Sequence, residues 1–155
     1  PEILIYTDGS SRGNPGPGGY GIIIQQFSDK RSKEFSQGFR KTTNNRMELL
    51  AVIIALETLK FEGTDVTIYS DSKYVVDAVT KGWVFNWVKK NFKDKKNPDL
   101  WKRFLKIYPK HEVKFVWVKG HAGNELNEVA DRLAVSAYLE GVLEVDEVYE
   151  ASNVD

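Results

Sequence analysis

The sequence predicts a mixed α/β fold in which a five-stranded sheet is flanked by helices. Three apolar runs lie within the first 40 residues, separated only by short polar segments, and such runs suit antiparallel hairpins. The later apolar runs alternate with segments of helical periodicity, and strands joined through helices tend to lie parallel. A length of 155 residues and a hydrophobic content of 41% fit one domain with a sizeable core.

The first half of the chain supplies four strands and one helix. Its first run is nearly all apolar, as in a strand that is covered on both faces. Apolar side chains at helical spacing from Met47 to Leu59 predict a helix that ends by Gly63. The four strands predicted in this half are residues 2–7, 20–27, 33–39 and 66–69.

The second half alternates helices with a last strand. Lysines and aromatic residues between Trp83 and Trp101 predict a basic helical excursion, and Pro109 stops the helix that follows it. The remaining predicted elements are helices at residues 72–80, 100–108 and 126–139 and a strand at residues 113–118.

Composition limits the classes of protein that fit. The chain has no cysteine, which excludes a disulfide framework and a cysteine-based zinc site. No apolar stretch approaches ~20 residues, so we expect no transmembrane helix and no membrane partner. The first residues lack the basic and then apolar layout of a signal peptide, and we expect a cytoplasmic protein.

The charges are unevenly distributed along the chain. The formal net charge is zero, with 22 basic and 22 acidic residues, but residues 140–155 contain six acids and no lysine or arginine. The preceding body therefore carries 22 basic against 16 acidic residues and could attract phosphates. We expect the acidic tail to be a solvated extension, with a regulatory arm as the alternative.

Two acids directly follow apolar strands. Asp8 comes after the first predicted strand, and Asp71 comes after the fourth. In open α/β sheets the ligand site lies outside the carboxyl ends of the strands, so these carboxylates converge if the two strands are neighbours. Each acid also has a structural explanation, since Asp8 precedes a glycine, as in a turn, and Asp71 lies between two serines that suit a helix N cap.

Two further acids lie on predicted helices. Glu48 borders the apolar side of its helix, where an uncompensated charge is costly and a cation would explain it. It could instead complete a capping arrangement with Asn45, three residues earlier. Asp131 lies on the last helix and could simply belong to a solvated face. Together the four acids predict a divalent-metal site, because Mg²⁺ prefers oxygen ligands.

Other kinds of catalytic site fit the sequence less well. The segment from Gly16 to Gly21 satisfies the G-x-G-x-x-G pattern, but a strand follows it where a dinucleotide site needs a helix. No G-x-x-x-x-G-K-[ST] loop occurs, and His111 and His121 lack zinc-ligand spacing. Carboxylates and one loop histidine remain for catalysis.

Five short motifs occur in order along the chain. They are residues 6–10 (YTDGS), 13–21 (GNPGPGGYG), 42–49 (TTNNRMEL), 70–72 (SDS) and 117–123 (WVKGHAG). The set resembles type 1 ribonuclease H, in the bacterial form that carries a basic protrusion. The resemblance covers about residues 3–139 and implies a ribonuclease H-like fold.

The resemblance implies an endonuclease that hydrolyses the RNA strand of RNA–DNA hybrids and leaves 5′-phosphate and 3′-hydroxyl ends. Two Mg²⁺ ions would bind with substrate, with Mn²⁺ as a possible substitute. His121 would act in proton transfer or product release, because an unperturbed imidazole titrates near pH ~6.5. Glu128, one turn before Asp131, would support the second ion. The implied metal ligands are Asp8, Glu48, Asp71 and Asp131.

To select an RNA–DNA hybrid, the protein must distinguish ribose from deoxyribose, since only the 2′-hydroxyl distinguishes RNA from DNA at a given nucleotide. The resemblance implies that asparagines and the backbone of residues 9–11 contact the minor groove, while lysines hold phosphates and Trp83 packs against the DNA strand. No residue is implied to read base edges, so cleavage should be largely independent of sequence. The implied substrate-binding residues are Asn14, Thr43, Asn44, Asn45, Trp83, Lys89 and Lys90.

Several of these substrate-binding residues have structural alternatives. Asn14 suits a turn, and Thr43 or Asn45 could cap a helix. The lysine-rich helix could be a solvated face whose aromatic residues, Phe92 and Trp101 among them, form a local core.

The predicted organisation is a catalytic domain over residues 1–139, with a basic protrusion at about residues 82–101, followed by an acidic tail over residues 140–155. We expect a monomer without an obligate protein partner. Three alternatives stay open: a hybrid-binding module without catalysis, another two-metal nuclease or integrase of the same fold, and a detached polymerase domain. The presence of all four acids disfavours the binding module, and the basic protrusion disfavours the polymerase domain.

Overall fold

The computed structural model describes residues 2–119 and 124–152. These residues form a mixed sheet with helices on both faces. The six strands are β1 (Glu2–Ser11), β2 (Gly16–Gln26), β3 (Ser32–Thr42), β4 (Asp65–Ser70), β5 (Glu112–Trp117) and β6 (Leu143–Glu144). The six α-helices are α1 (Asn44–Glu57), α2 (Lys73–Thr80), α3 (Trp83–Lys89), α4 (Pro98–Ile107), α5 (Glu125–Leu139) and α6 (Glu147–Ser152). A 3₁₀ turn, Tyr108–Lys110, connects α4 to β5.

The strand order is β5-β4-β1-β2-β3-β6. The first three strands pair antiparallel, and β4 and β5 lie parallel to β1. The predicted mixed sheet is therefore confirmed, but the predicted count of five strands is wrong by one. The extra strand, β6, is two residues long and pairs with Gly38 and Phe39 at the edge of β3, a contact that no local sequence pattern indicates.

Both faces of the sheet are buried, which explains the unbroken apolar run of β1. Ile5 and Ile22 face the main core, which contains the buried side of α1 together with residues of α2 and α4. Leu4, Tyr6 and Ile23 point the other way and pack against α5. Successive strand residues point to opposite faces, so both sets must be apolar when both faces are covered.

The caps of α1 and α2 are ones that the sequence offered, whereas the capping arrangement suggested for Glu48 does not form. Thr43 caps α1, and its hydroxyl accepts a hydrogen bond of 3.2 Å from the Arg46 N–H. Glu48 therefore does not close a capping arrangement with Asn45. Ser72 is the N cap of α2, and its hydroxyl accepts a hydrogen bond from the Val75 N–H. This cap agrees with the one predicted from the serines on either side of Asp71.

The helix end predicted near Gly63 lies earlier. The last residue of α1 is Glu57, and Gly63, with a φ of 75°, lies in the turn that leads to β4. A positive φ is a conformation that glycine adopts at little cost.

The basic protrusion consists of α3, a turn-rich connection and the start of α4. Trp101 is fully buried and Phe92 is 7% exposed, so both belong to the core, as the structural alternative for these residues predicted. Lys89 and Lys90 are exposed at the end of α3. The protrusion therefore combines an aromatic base with a lysine-rich surface.

Residues of the acidic tail pack against the body. Asp146 is 9% exposed and forms an ion pair of 2.7 Å with Arg46, at the start of α1. On α6, Glu150 pairs with Arg40 at 2.9 Å. The solvated extension expected from the sequence does not fit these contacts, because two carboxylates of the tail find arginine partners on the body. Among the described residues, no helix is long and apolar enough to cross a membrane.

Candidate active site

The structure brings together three of the four predicted metal-binding acids at one edge of the sheet. Strands β1 and β4 are parallel neighbours, with Tyr6 opposite Tyr69, so the residues that follow these positions emerge at the same edge. One oxygen each of Asp8, Glu48 and Asp71 lies within 4.8 Å of the others. The sequence predicted that Asp8 and Asp71 would converge if their strands were neighbours. The strands are neighbours, and the two acids converge.

Glu48 joins this cluster because α1 packs directly on β1. A Cβ atom at Gly9 would lie only 2.2 Å from the Glu48 main-chain nitrogen, so no larger residue fits there. The Asp8-Gly9 pair thus places a carboxylate and lets the helix approach beside it. The Gly9 N–H also donates a hydrogen bond of 3.0 Å to Asp8 Oδ1.

Asp131 approaches Asp8 from the opposite face of the sheet, on α5. That helix lies close to β2, since a Cβ atom at Gly21 would lie 2.2 Å from the carbonyl oxygen of Ala130. Gly21 is also the partner of Asp8 in the β1–β2 ladder. Asp131 is close enough to Asp8 to raise the pKa of the Asp8 carboxyl.

Asn127 was not among the predicted site residues, although it lies one turn before Asp131. It is fully buried, and its Nδ2 donates to the carbonyl oxygen of Tyr69 at 3.4 Å, near the end of β4. The bond ties α5 to the strand that precedes Asp71. Its position four residues before Asp131, on the same side of the helix, was the only signal of this role in the sequence.

The cluster is electrostatically unfavourable without a counter-charge. Burial, the hydrogen bond to Asp131 and the charge of Asp71 raise the pKa of Asp8 from 3.8 to about 9. Burial and the charges of Asp8 and Asp71 raise the pKa of Glu48 well above its usual value. Glu48 Oε1 is buried without a hydrogen-bond partner among the described residues. A divalent cation would relieve each of these costs, so the donor set fits a metal.

These pKa values predict a pH-dependent stability for the metal-free protein. Between about pH 4 and about pH 9 the folded state holds more protons on Asp8 and Glu48 than the unfolded state, so the free energy of unfolding falls as the pH rises. We expect a lower melting temperature at about pH 8.5 than at about pH 5.5, and saturating divalent metal should remove most of the difference.

Thermal unfolding in chelator and in Mg²⁺ at the two pH values measures this effect. Asp8→Asn, which cannot titrate, serves as the matched control and should show a smaller pH dependence. A metal-free protein whose melting temperature is unchanged between the two pH values would contradict the electrostatic description of the cluster.

Two further predicted residues remain, the supporting residue Glu128 and the catalytic residue His121. Glu128 is exposed on α5, one turn before Asp131. His121 lies outside the described residues, so its predicted role stays a prediction.

The predicted minor-groove residues lie together near the start of α1. The Asn44 N–H donates a hydrogen bond of 3.1 Å to Asn14 Oδ1, which ties the β1–β2 connection to the helix. Thr43 is the N cap of α1, as its structural alternative proposed, and Asn45 is exposed. A cavity of about 520 Å³ is lined in part by Asn14, Thr43, Asn45 and Lys96.

The predicted residues of the protrusion lie on α3, which packs beside α2, the helix that follows Asp71. Trp83 is 45% exposed, with the Lys81 ammonium 5.3 Å from the centre of its ring. Lys89 and Lys90 are exposed at the other end of the helix. These positions leave an aromatic face and two ammonium groups available to a ligand.

Comparisons with known proteins agree on one family. The family model described as RNase H matches residues 1–138. A curated protein named Ribonuclease H from Rippkaea orientalis (strain PCC 8801 / RF-1) is 52% identical over 159 residues, covering 99% of this chain and 96% of the relative. Among solved structures, LC9-RNase H1, a type 1 RNase H, has a TM-score of 0.81 at 32% identity and covers 99% of this chain and 82% of that one.

A second solved structure contains a nucleic acid. LC11-RNase H1 in complex with an RNA/DNA hybrid has a TM-score of 0.62 and 29% identity, with coverage of 89% of this chain and 97% of that chain. The similarity therefore extends to a relative that has been seen with a hybrid bound.

Proposed function

Since this chain belongs to the ribonuclease H family, we propose that it is an endonuclease that hydrolyses the RNA strand of RNA–DNA hybrids. The products are a 5′-phosphate and a 3′-hydroxyl, and cleavage is largely independent of sequence. The observation that carries the proposal is the cluster of Asp8, Glu48 and Asp71, in which one oxygen of each acid lies within 4.8 Å of the others near the carboxyl ends of β1 and β4.

The family is metal-dependent, and we propose that the metal is Mg²⁺, with Mn²⁺ as a substitute. Asp8, Glu48, Asp71 and Asp131 would hold the metal, since an all-carboxylate donor set suits a hard cation. A pair of bound ions would polarise the scissile phosphate and stabilise the charge that develops on the attacking and leaving oxygens. We propose that Glu128, one turn before Asp131 on α5, supports this set.

The chain's own side chains set the conditions for this chemistry. Asp8 and Glu48 are buried, so their charges are weakly screened and strongly favour a cation. Asp131 raises the pKa of the neighbouring Asp8 carboxyl, so a cation held by both carboxylates would offset the repulsion between them. We propose that His121 moves a proton during the reaction or promotes product release.

Substrate selectivity comes from the surface beside the cluster. Asn44 and Asn45 at the start of α1 present amides to the minor groove, where the 2′-hydroxyls of the RNA strand lie. Asn14 and Thr43 hold a phosphate of the DNA strand, and the Asn14–Asn44 hydrogen bond fixes their relative position. On the protrusion, Lys89 and Lys90 contact further phosphates, and Trp83 packs against the DNA strand. Because no base edge is read, recognition depends on duplex shape and sugar.

A cleavage assay on end-labelled duplexes tests the proposal. We expect Mg²⁺-dependent cuts confined to the RNA strand of an RNA–DNA hybrid, with RNA duplex and DNA duplex left intact. Asp71→Asn is the control and should not cut. Cleavage of DNA duplex would indicate another two-metal nuclease, and an intact hybrid that is still bound would indicate a binding module.

We further propose that the protein acts as a cytoplasmic monomer without an obligate protein partner. We also propose that residues 1–139 form the catalytic domain and that residues 140–155 form an acidic tail. The ion pairs of Asp146 and Glu150 with the body imply that the tail belongs to the same folded unit.

A further inference from the structure

Trp117, the last residue of β5, contacts the main chain of one of the clustered acids. Its indole Nε1–H donates a hydrogen bond of 3.2 Å to the carbonyl oxygen of Asp71. Its partner in the β4–β5 ladder is Ser70, the residue before Asp71. The Trp117 side chain is 40% exposed, so filling the core is not its main contribution.

Asp71 lies in the short connection between a strand and a helix. β4 ends at Ser70, and the first helical hydrogen bond of α2 runs from the Val76 N–H to the Ser72 carbonyl. The Asp71 carbonyl therefore lies outside both the ladder and the helix. The indole of Trp117 ties this connection to the edge strand.

We propose that Trp117 is a positioning residue that fixes the Asp71 main chain and, through it, orients the Asp71 carboxylate for metal binding. This inference rests on the proposed metal-dependent function. Hydrogen bonds that orient a metal ligand are typically worth 10- to 100-fold in metal affinity. Since this bond reaches the main chain and not the carboxylate itself, its loss should weaken metal binding about tenfold, at the low end of that range.

Lys73 offers a competing explanation for any effect of Trp117. The Lys73 ammonium lies 4.7 Å from the centre of the Trp117 ring, and Lys73 is two residues after Asp71. Its charge could influence the cluster directly, and the ring could simply hold it there. The two routes are separable. Trp117→Phe removes the indole N–H and keeps an aromatic face, whereas Lys73→Met removes the charge and keeps the hydrogen bond to Asp71.

The test measures metal binding without nucleic acid. Thermal unfolding of the full chain is followed over a Mg²⁺ titration, and the dissociation constant is taken from the rise in melting temperature. We expect Trp117→Phe to raise this constant about tenfold and Lys73→Met to leave it within about twofold of the unchanged protein. In the cleavage assay, added Mg²⁺ should restore the kcat of Trp117→Phe.

Trp87→Phe provides a matched control for the substitution itself. Trp87 is a partly buried indole on α3 with a lysine, Lys95, 5.1 Å from its ring centre, so the ring environment is similar. The described structure gives its indole no contact with the acids of the cluster. We expect its dissociation constant for Mg²⁺ to match that of the unchanged protein.

Each other outcome overturns the inference. An unchanged constant in Trp117→Phe, even with a lower melting temperature, would make Trp117 a structural residue only. If Lys73→Met raised the Mg²⁺ dissociation constant by the same factor, the effect would come from the charge of Lys73. No Mg²⁺ stabilisation in the unchanged protein would contradict the metal site itself, and with it the proposed function.

Discussion

Asp8→Asn is expected to lower the cleavage rate about 10³-fold while leaving the metal-free protein folded and more stable than the unchanged one. An amide is a weak ligand for Mg²⁺ and carries no charge, so the variant loses the several kcal/mol that metal contributes at the transition state, or about 10³-fold in rate. Asp8 is 3% exposed, so the same substitution removes a carboxyl group that is costly to bury.

The expected stability gain follows from the raised pKa of Asp8. Keeping this carboxyl protonated at neutral pH, when its pKa rises from 3.8 to about 9, costs up to about 4 kcal/mol. Asparagine avoids this cost, since its amide does not titrate. We expect a higher melting temperature, by about 3 °C for each kcal/mol recovered.

Cleavage rate and melting temperature together decide the role of Asp8. The rate is measured on the hybrid in saturating Mg²⁺, and the melting temperature is measured in chelator at neutral pH. Asp71→Asn, whose carboxylate belongs to the same cluster, should behave alike. A collapse of the melting temperature in both variants would instead make these acids structural.

Asp146→Ala is expected to lower the free energy of unfolding by about 3 kcal/mol, because it removes one partner of a buried charge pair. The Asp146 carboxylate accepts hydrogen bonds of 2.7 Å and 2.9 Å from the Arg46 guanidinium and one of 2.7 Å from the Thr42 hydroxyl. Arg46 is 4% exposed. It keeps its ion pair with Asp99, which limits the loss to the lower end of the range for breaking buried pairs.

Glu150→Ala is the matched control for the tail. Glu150 forms a bidentate pair with Arg40, but the Arg40 side chain is 61% exposed, and exposed ion pairs contribute little to stability because solvent screens them. Denaturant unfolding of both variants measures the difference. Equal losses would mean that the tail docks through general contact and that the buried ion pair has no special role.

Loss of the Asp146 carboxylate should also affect function, because Arg46 lies beside proposed functional residues on α1. Arg46 follows Asn45 and precedes Glu48 by two residues, in the first turns of α1. The acidic tail therefore braces the segment that carries both a proposed minor-groove residue and a metal ligand. A loosened α1 start should weaken hybrid binding as well as stability.

The sequence determined the order and type of the elements from β1 to α5, but not of β6 and α6 in the tail, because periodicity is local. Alternating and unbroken apolar runs specify strands, and the four-residue repeat specifies α1, whatever the remaining chain does. The same local logic predicted that Asp8 and Asp71 follow strands, which holds for Asp71, whereas β1 continues beyond Asp8 to Ser11. The motifs around these acids then indicated the family before any geometry was available.

The sequence could not determine which distant residues meet. The Arg46–Asp146 pair joins residues 100 positions apart, and the bond from Trp117 to Asp71 spans 46. Such contacts depend on strand order and on how closely helices approach the sheet. Gly9 and Gly21 permit a close approach, but the sequence around them does not predict which helix packs against each glycine.

Burial was likewise decided by tertiary structure. Trp101 and Trp83 lie in one aromatic and basic segment, yet the first is fully buried and the second is 45% exposed. The raised pKa values of Asp8 and Glu48 arise only because folding removes water from carboxylates that it also brings together. The sequence by itself determined which residues carry the chemistry, whereas the tertiary structure set their distances and charges, since both depend on contacts between segments that are remote in the chain.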